Sequence, residues 1–199
     1  MLSKATLLDA IAGTNRGLLA SDSQKQAILA AIANLEDFNP TPRPLEAVDL
    51  LNGDWRLIYT TSKGLLNLDR LPLCKLGPIY QCIRVNTASV YNIAEVYGLP
   101  YLEGLVSVAA KFEAVSQRRV QVKFQRSIVG LKGLIGYRSP ADFIDRIELG
   151  EKFRAIDTPL NSDRQQGWLE ITYIDDDLRI GRGNEGSVFV LSKTSSFEK

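Results

Sequence analysis

Side chains that could carry out catalysis are scarce in this sequence. None of its 199 residues is histidine, the commonest general base and the commonest metal ligand. A Ser-His-Asp triad, a Cys-His pair and a histidine-ligated zinc site are therefore excluded. The two cysteines, Cys74 and Cys82, cannot hold a metal ion alone, and we favour free thiols over a disulfide. No spaced pair of Asp, Glu, Tyr or Lys stands out as an acid and base, so we predict no enzyme activity, no cofactor and no metal site.

Two short motifs resemble ligand sites only superficially. Three consecutive aspartates occupy residues 175–177, but a calcium loop needs staggered ligands and a glutamate further on. We therefore predict a solvated hairpin tip. Residues 182–186 lack the lysine of a phosphate-binding loop. We interpret them as a turn in which Gly183 and Gly186 supply positive φ between two strands.

A leucine-rich segment with few charges covers residues 62–78. Its leucines are Leu65, Leu66, Leu68, Leu71, Leu73 and Leu76. The segment could be a plug folded over the core, a hydrophobic lid at the mouth of a cavity, or a lip that touches a membrane. Residues 98–102 and 130–137 have a similar character. If there is a cavity, we expect Leu65, Leu66 and Leu68 to contact a hydrophobic tail.

One segment has a clear period of two. Val120, Val122 and Phe124 alternate with polar residues, which predicts a strand with one buried face. Arg126 continues the buried face, so we expect it to point inward. A buried arginine must pair with a carboxylate of the protein or with the polar head of a ligand. We therefore place Phe124 and Arg126 in the candidate ligand site.

Positive charge is concentrated between residues 111 and 138. Seven cations stand there against one carboxylate, Glu113, a local net charge of +6. A solvated outer face is the simplest interpretation. The alternative is attraction to an anionic lipid surface, worth about 1 kcal/mol per cation. The candidate membrane-contact residues are Arg118, Arg119, Lys123 and Lys132. The whole chain has 24 Lys and Arg against 23 Asp and Glu, which argues against a nucleic-acid partner.

The elements that would position these residues fall into two groups. Residues 1–38 predict a helical hairpin, whose second helix starts at Ser21 with Gln24 completing a capping box. Three alternating prolines make 39–49 an extended linker. The pattern then changes to a period of two, so that residues 50–193 form the main domain, followed by a tail at 194–199.

Seven segments after the linker predict strands, mostly with short connections. They are residues 55–61, 80–85, 89–96, 106–114, 119–128, 168–174 and 187–191. An antiparallel sandwich or barrel follows from this pattern. Residues 142–147 could be a short helix or an edge strand.

Two stretches resemble plastid-lipid-associated proteins, the fibrillin family. They are residues 51–61, LNGDWRLIYTT, and residues 168–191, WLEITYIDDDLRIGRGNEGSVFVL. Residues 76–81, LGPIYQ, also resemble the family, and the likeness spans roughly residues 45–193. The resemblance implies a mainly β fold, an antiparallel lipocalin-like β-barrel behind the N-terminal helical segment.

The same resemblance suggests structural roles for several residues. Residues 53–55 are similar to the Gly-x-Trp of lipocalins, where the Trp closes one barrel end beneath an arginine; Arg179 or Arg182 would supply that cation here. The structural motif residues are Gly53, Trp55, Tyr59, Arg179, Arg182, Gly183, Gly186 and Phe189.

The function implied is non-catalytic. Members of the family are regarded as binding or organising lipids, carotenoids and prenylquinones at photosynthetic membranes or lipid bodies. The alternative is a scaffold that recruits proteins to lipid surfaces and has no ligand cavity. The start of the chain shows no targeting peptide. We therefore expect a protein that is cytoplasmic or peripheral on a thylakoid-type membrane in a cyanobacterium, or plastidial if the sequence is a mature plant form.

Overall fold

The computed structural model describes residues 4–62, 75–98, 102–161 and 166–194. The helices within these ranges are α1 (Lys4–Ile11), α2 (Asp22–Asp37), α3 (Val48–Leu51), α4 (Lys132–Ile135) and α5 (Pro140–Glu148). The strands are β1 (Gly53–Thr60), β2 (Lys75–Arg84), β3 (Ser89–Tyr97), β4 (Gly104–Ala114), β5 (Arg119–Leu131), β6 (Ile156–Pro159), β7 (Gln166–Ile174), β8 (Leu178–Gly183) and β9 (Val188–Lys193).

Eight strands close into an antiparallel barrel. Neighbouring strands follow the order β4-β3-β2-β1-β9-β8-β7-β5. Strand β4 also pairs with β5, from Gly104 opposite Leu131 to Ala114 opposite Val120, and this pairing closes the ring. Strand β6 pairs with the second half of β5, beyond the part of β5 that pairs with β7. The prediction of a mainly β, lipocalin-like antiparallel barrel with an N-terminal helical segment is confirmed.

Several elements differ from the sequence interpretation or complete it. Strands β6 and β8 and helices α3 and α4 were not predicted. Residues 142–147, which could have been helix or strand, lie within helix α5. This helix has a well-formed start, because Ser139 Oγ accepts a hydrogen bond of 3.2 Å from the Asp142 backbone and Pro140 occupies the first turn.

Helix α2 begins with the capping box that the sequence predicted. The Gln24 backbone donates to Ser21 Oγ at 3.3 Å, and the Ser21 backbone donates to Gln24 Oε1 at 2.9 Å. These bonds satisfy two of the backbone groups that a helix start leaves unpaired. The apolar stripe of the helix is buried at Ile28, Ala31, Ile32 and Leu35. It packs against α1 and the outer surface of the barrel at β8 and β9.

The barrel wall separates three clusters of buried side chains. The first lies outside, between the N-terminal helices and β8 and β9. The second fills part of the interior and includes Trp55, Leu57, Ile79 and Ile171. The third lies outside again, where α5 covers the outer face of β2 to β5 with Phe143, Ile144 and Ile147. Side chains from alternate positions of the strands therefore enter different cores.

A β-bulge in β5 changes which of its alternate side chains point into the barrel. Ala109 of β4 pairs with Arg126, whereas Ala110 pairs with Phe124, so Gln125 has no partner on β4. The Gln125 carbonyl instead accepts a hydrogen bond of 2.8 Å from the Leu160 backbone. Because side chains alternate with a period of two, the extra residue turns the rest of β5 to the opposite face.

The segment between α2 and the barrel contributes to the barrel itself. Residues 39–47 carry no helix or strand, yet Leu45 lines the barrel interior. Helix α3 follows directly and leads into β1. The division into an N-terminal hairpin, a linker, a barrel domain and a tail stays a prediction.

Candidate ligand cavity

The interior of the barrel holds a cavity of about 560 Å³. This volume lies within the range of roughly 300–1,000 Å³ that is usual for small-molecule sites. Aliphatic and aromatic side chains form most of its wall, among them Leu57, Ile79, Val108, Val122, Phe124 and Phe189. The polar or charged side chains of its described lining are Ser62, Gln81, Asn92, Arg179, Asn184 and Ser187. An apolar chamber with a few polar groups suits a hydrophobic small molecule.

Two glycines of β8 lie against side chains of neighbouring strands. A Cβ on Gly181 would lie 3.2 Å from Leu169 Cδ1, and a Cβ on Gly183 would lie 3.2 Å from Phe189 Cε2. Both glycines line the cavity, on the same face of the strand as Arg179. The missing side chains therefore leave room beside the two apolar residues.

The prediction that Gly183 takes a positive φ is wrong. Its φ is −125° and it continues the extended strand, so glycine is needed there for space and not for turn geometry. Gly186 has the positive φ that the turn interpretation predicted, at +71°.

Trp55 is completely buried in the interior cluster of the barrel, next to Arg179 of the cavity wall. Its indole Nε1 donates a hydrogen bond of 3.1 Å to the Leu51 carbonyl, at the end of α3. The guanidinium carbon of Arg179 lies 4.9 Å from the ring centroid, and Lys193 Nζ lies 5.3 Å from it. Of the two arginines proposed from the sequence, the structure thus places Arg179 against Trp55, in a cation–π contact.

The other residues of the structural motif are divided between the two faces of the barrel wall. Gly53 starts β1 with a φ of +126°, which L side chains rarely adopt. Tyr59 follows a bulge in β1 and packs in the outer cluster with the N-terminal helices. Arg182 also points outward, where its Nε and Nη2 donate to Glu36 at 2.8 and 2.6 Å. Phe189 lines the cavity.

Arg179 is the unusual group of the cavity. It is 1% exposed, and its Nη2 donates to Gln81 Oε1. Gln81 Nε2 in turn donates to Asn92 Oδ1 at 2.9 Å, which forms a short polar chain across the interior. No hydrogen-bond partner contacts Arg179 Nη1, and among the described residues no carboxylate forms a salt bridge with this guanidinium. Burial lowers the pKa of Arg179 to about 9.

Sequence analysis missed Gln81 and Asn92. Both lie at inward positions of strands that were predicted, β2 and β3, opposite each other in the register. The sequence did contain an indication of both: each is a polar residue at a position where the two-residue period of an apolar strand predicts a buried side chain. In an apolar interior, such residues need a partner or a ligand.

Of the candidate ligand-site residues, Phe124 and Arg126 lie within the described part of the chain. Leu65, Leu66 and Leu68 lie outside the described residues, as does Cys74. Phe124 lines the cavity. Cys82 is a free, buried thiol on the outer side of the barrel, and burial raises its pKa.

The prediction that Arg126 points into the barrel is wrong. The bulge at Gln125 turns it to the outer face, where Nε and Nη2 donate to Asp157 of β6 at 2.8 and 2.6 Å. Its guanidinium also lies 5.5 Å from the ring centroid of Phe153. The carboxylate that a half-buried arginine needs is therefore supplied by the protein itself.

The four candidate membrane-contact cations all have carboxylate partners. Arg119 lies 2.7 Å from Glu170, which Arg118 also approaches, at 3.8 Å. Lys123 lies 3.7 Å from Glu113. These three side chains are half exposed. Lys132 is only 15% exposed and is held by Glu95 at 2.6 Å, inside a charged depression of about 400 Å³.

The aspartate cluster forms the tip of the β7–β8 hairpin, as predicted: Asp176 and Asp177 are exposed to solvent, whereas Asp175 is partly buried. Asp175 accepts hydrogen bonds from the Leu178 backbone at 2.8 Å, from Tyr173 Oη at 2.7 Å and from Lys4 Nζ at 2.8 Å. Burial alone would raise its pKa, but these donors lower the pKa to about 2. The carboxylate therefore organises the β7–β8 turn and fastens α1 to it.

Comparison with known proteins identifies the family. The model of the PAP_fibrillin family matches residues 1–192. The chain belongs to this family. No solved structure matches it significantly. The fibrillin match covers the N-terminal helices as well as the barrel, whereas the sequence motifs had covered only the barrel.

Several relatives of this fibrillin come from plant plastids. The chain is 38% identical to a light-induced chloroplastic protein of Solanum tuberosum, over 98% of this chain and 68% of the relative. It is 38% identical to a chromoplast-specific carotenoid-associated protein of Cucumis sativus, over 97% and 68%. It is 36% identical to a probable plastid-lipid-associated protein 2 of Arabidopsis thaliana, over 97% and 71%.

The described part of the chain has neither a cluster of metal ligands nor a helix that could span a membrane. Its Cys, Asp and Glu side chains do not gather in groups of three that could hold a metal ion. None of its helices has both the length and the apolar character needed to cross a bilayer.

Proposed function

We propose that this fibrillin binds a hydrophobic small molecule, a lipid, carotenoid or prenylquinone, inside its barrel and without catalysis. The observation that carries the proposal is the cavity of about 560 Å³ with its predominantly apolar wall. Removing apolar ligand surface from water would supply about 25 cal/mol per Å² of binding free energy. An apolar wall discriminates poorly among hydrophobic tails, so this energy alone gives little selectivity.

The relatives support the class of ligand. Two of them carry names that refer to carotenoid association and to plastid lipid association. Because the chain aligns with them over nearly its whole length, the same kind of ligand is proposed here. We place the protein at photosynthetic membranes or lipid bodies, in peripheral contact with an anionic surface through the exposed cations Arg118, Arg119 and Lys123.

A cavity-filling variant tests the proposal. Val122 lines the cavity in β5, so Val122→Phe should occupy space that the ligand needs. Val115 is 58% exposed at the β4–β5 hairpin, and Val115→Phe adds the same atoms outside the cavity. Ligand binding is measured as saturable quenching of tryptophan fluorescence by a prenylquinone and by a carotenoid. We expect Val122→Phe to weaken binding by about tenfold or more, and Val115→Phe to leave it unchanged.

Two outcomes would overturn the proposal. If the wild-type protein shows no saturable binding of either ligand, the cavity does not serve as a binding site. If both variants bind as tightly as the wild type, binding occurs elsewhere on the protein. The scaffold function, recruitment of proteins to lipid surfaces without a ligand cavity, would then explain the family resemblance better.

A further inference from the structure

The guanidinium of Arg179 is a buried cation without a counter-ion in the described structure. Taking an unpaired charge out of water costs several kcal/mol. The cation–π contact with Trp55 and the hydrogen bond to Gln81 offset part of this cost. Nη1 remains without a partner, and the residue lines the cavity. The arrangement is one that an anionic group in the cavity would complete.

The surrounding contacts fix the guanidinium in place. Trp55 supports one face, and Trp55 itself is held by the Leu51 carbonyl. Gln81 holds Nη2 and is in turn held by Asn92. Since the cation is already ordered, a ligand that pairs with it would lose little further side-chain entropy.

We propose that the cavity selects an amphiphile with a carboxylate head, and that Arg179 binds this head. The inference rests on the proposed function, because it requires a ligand inside the barrel. The head lies at the Trp55 end, and the apolar tail follows the wall past Val122 and Phe124. A long-chain fatty acid has this chemistry, with a carboxylate for the guanidinium of Arg179 and a chain for the apolar wall.

The orientation follows from where polar and apolar groups lie along the cavity. Arg179 and Gln81 belong to the level of Trp55, since Gln81 pairs with Trp55 in the β1–β2 register. Phe124, Gly167 and Ser187 line the cavity towards the opposite ends of their strands. A carboxylate bound near Gly167 would meet neither of the two groups that favour it.

Selectivity for the acid over its ester is the direct consequence. Hexadecanoate and methyl hexadecanoate have the same tail, so contact with the apolar wall contributes equally to the binding free energy of both. A hydrogen bond to a charged partner contributes about 1.5–3 kcal/mol. We therefore expect the wild-type protein to prefer the acid by roughly ten- to a hundredfold.

The experiment measures both affinities by displacement of a fluorescent fatty acid. In Arg179→Met, the preference for the acid should be lost or reversed, because the carboxylate would be buried without a cation, while the ester binds as before. Lys25→Met removes one positive charge from an exposed position of α2 and should leave the preference unchanged. Carbon NMR of hexadecanoate labelled at its carboxyl carbon adds a positional readout. The pKa of the bound carboxyl should be lowered in the wild type and rise above its ordinary range in Arg179→Met, where burial acts without the cation.

The outcomes separate this inference from the proposed function. Equal wild-type affinity for acid and ester would refute the head site, yet leave ligand binding in the cavity intact. Failure of the wild type to bind either would refute both. If Arg179→Met does not fold, the acid-to-ester ratio and the carboxyl pKa in the wild type still decide the question.

Discussion

Glu36 of α2 holds Arg182 of β8 through two hydrogen bonds, of 2.8 and 2.6 Å. The same carboxylate accepts a bond of 2.5 Å from Thr172 Oγ1. The pair lies at the outer surface and fastens the second helix to the barrel wall. It also shows why Arg179 and Arg182 cannot both contact Trp55. Two residues that are three positions apart on a strand lie on opposite faces of it.

Removing this carboxylate should loosen the N-terminal helices. We expect Glu36→Ala to lower the free energy of unfolding by about 1–2 kcal/mol, because three hydrogen bonds to a half-buried charge are lost. Glu46→Ala removes an exposed partner of Arg43, 3.5 Å away, and should cost less than about 0.5 kcal/mol. Urea denaturation measures both. Equal losses would mean that the contact between α2 and the barrel does not depend on this pair.

Trp55 should be among the most costly residues to truncate. Its side chain is fully buried and touches the end of α3, Arg179 and Lys193. We expect Trp55→Ala to lower the free energy of unfolding by about 3–5 kcal/mol. Trp168 is only half buried, and Trp168→Ala should cost clearly less. A loss below about 1 kcal/mol for Trp55→Ala in chemical denaturation would contradict its role in closing the barrel end.

Alkaline pH should destabilise the fold through buried tyrosines. Burial, together with the hydrogen bonds that they donate to Glu148 and Asp175, raises the pKa of Tyr91 and of Tyr173 to about 12. Since the folded pKa exceeds the unfolded value of 10, the stabilisation is complete below pH 10 and is lost as pH rises towards about 12.

The corresponding measurement is the free energy of unfolding across this pH window. The double variant Tyr91→Phe, Tyr173→Phe removes both titrating groups, so its stability should fall less steeply than that of the wild type. Parallel slopes for the two proteins would show that these hydroxyls do not titrate differently in the folded and unfolded states.

Membrane contact through the hairpin cations predicts a dependence on charge. Binding to liposomes should rise with the fraction of anionic lipid and fall with salt. Reversal of Arg118 and Arg119 to Glu should weaken it by at least about tenfold, given about 1 kcal/mol per cation. Reversal of Lys25 and Arg43 makes the same change of charge at other exposed sites and serves as the control. Equal effects of the two reversals would assign the attraction to net charge instead of this surface.

Local patterns in the sequence were sufficient for several features. The capping box at Ser21 depends on residues three apart, and the helix start followed from it directly. The two-residue period at Val120 to Phe124 likewise gave both the strand and its buried face, and Phe124 lines the cavity. The Gly-x-Trp resemblance limited the partner of Trp55 to two arginines.

Features that depend on partners far along the chain could not be obtained in this way. The local net charge of +6 ignored Glu95, Asp157 and Glu170, which the fold brings to Lys132, Arg126 and Arg119. Strand β8 was missed because glycine and arginine alternate with its apolar residues, and both of its faces are largely buried. Gly183 was assigned a turn role because the closeness of Phe189 is invisible in the sequence.

The bulge at Gln125 has a consequence for how β5 tolerates changes in length. Before the bulge, the strand contributes to the cavity wall through Val122 and Phe124; after it, Arg126 and Ile128 contribute to the outer core beneath α5. Deletion of Gln125 alone would restore an uninterrupted period of two. Phe124 and Arg126 would then be direct neighbours, still opposite Ala110 and Ala109 and still on opposite faces, and only the bond from the Leu160 backbone to the Gln125 carbonyl would be lost. Gln125 is therefore a position at which β5 can lose one residue while the cavity wall before it and the outer core after it keep their side chains on the same faces.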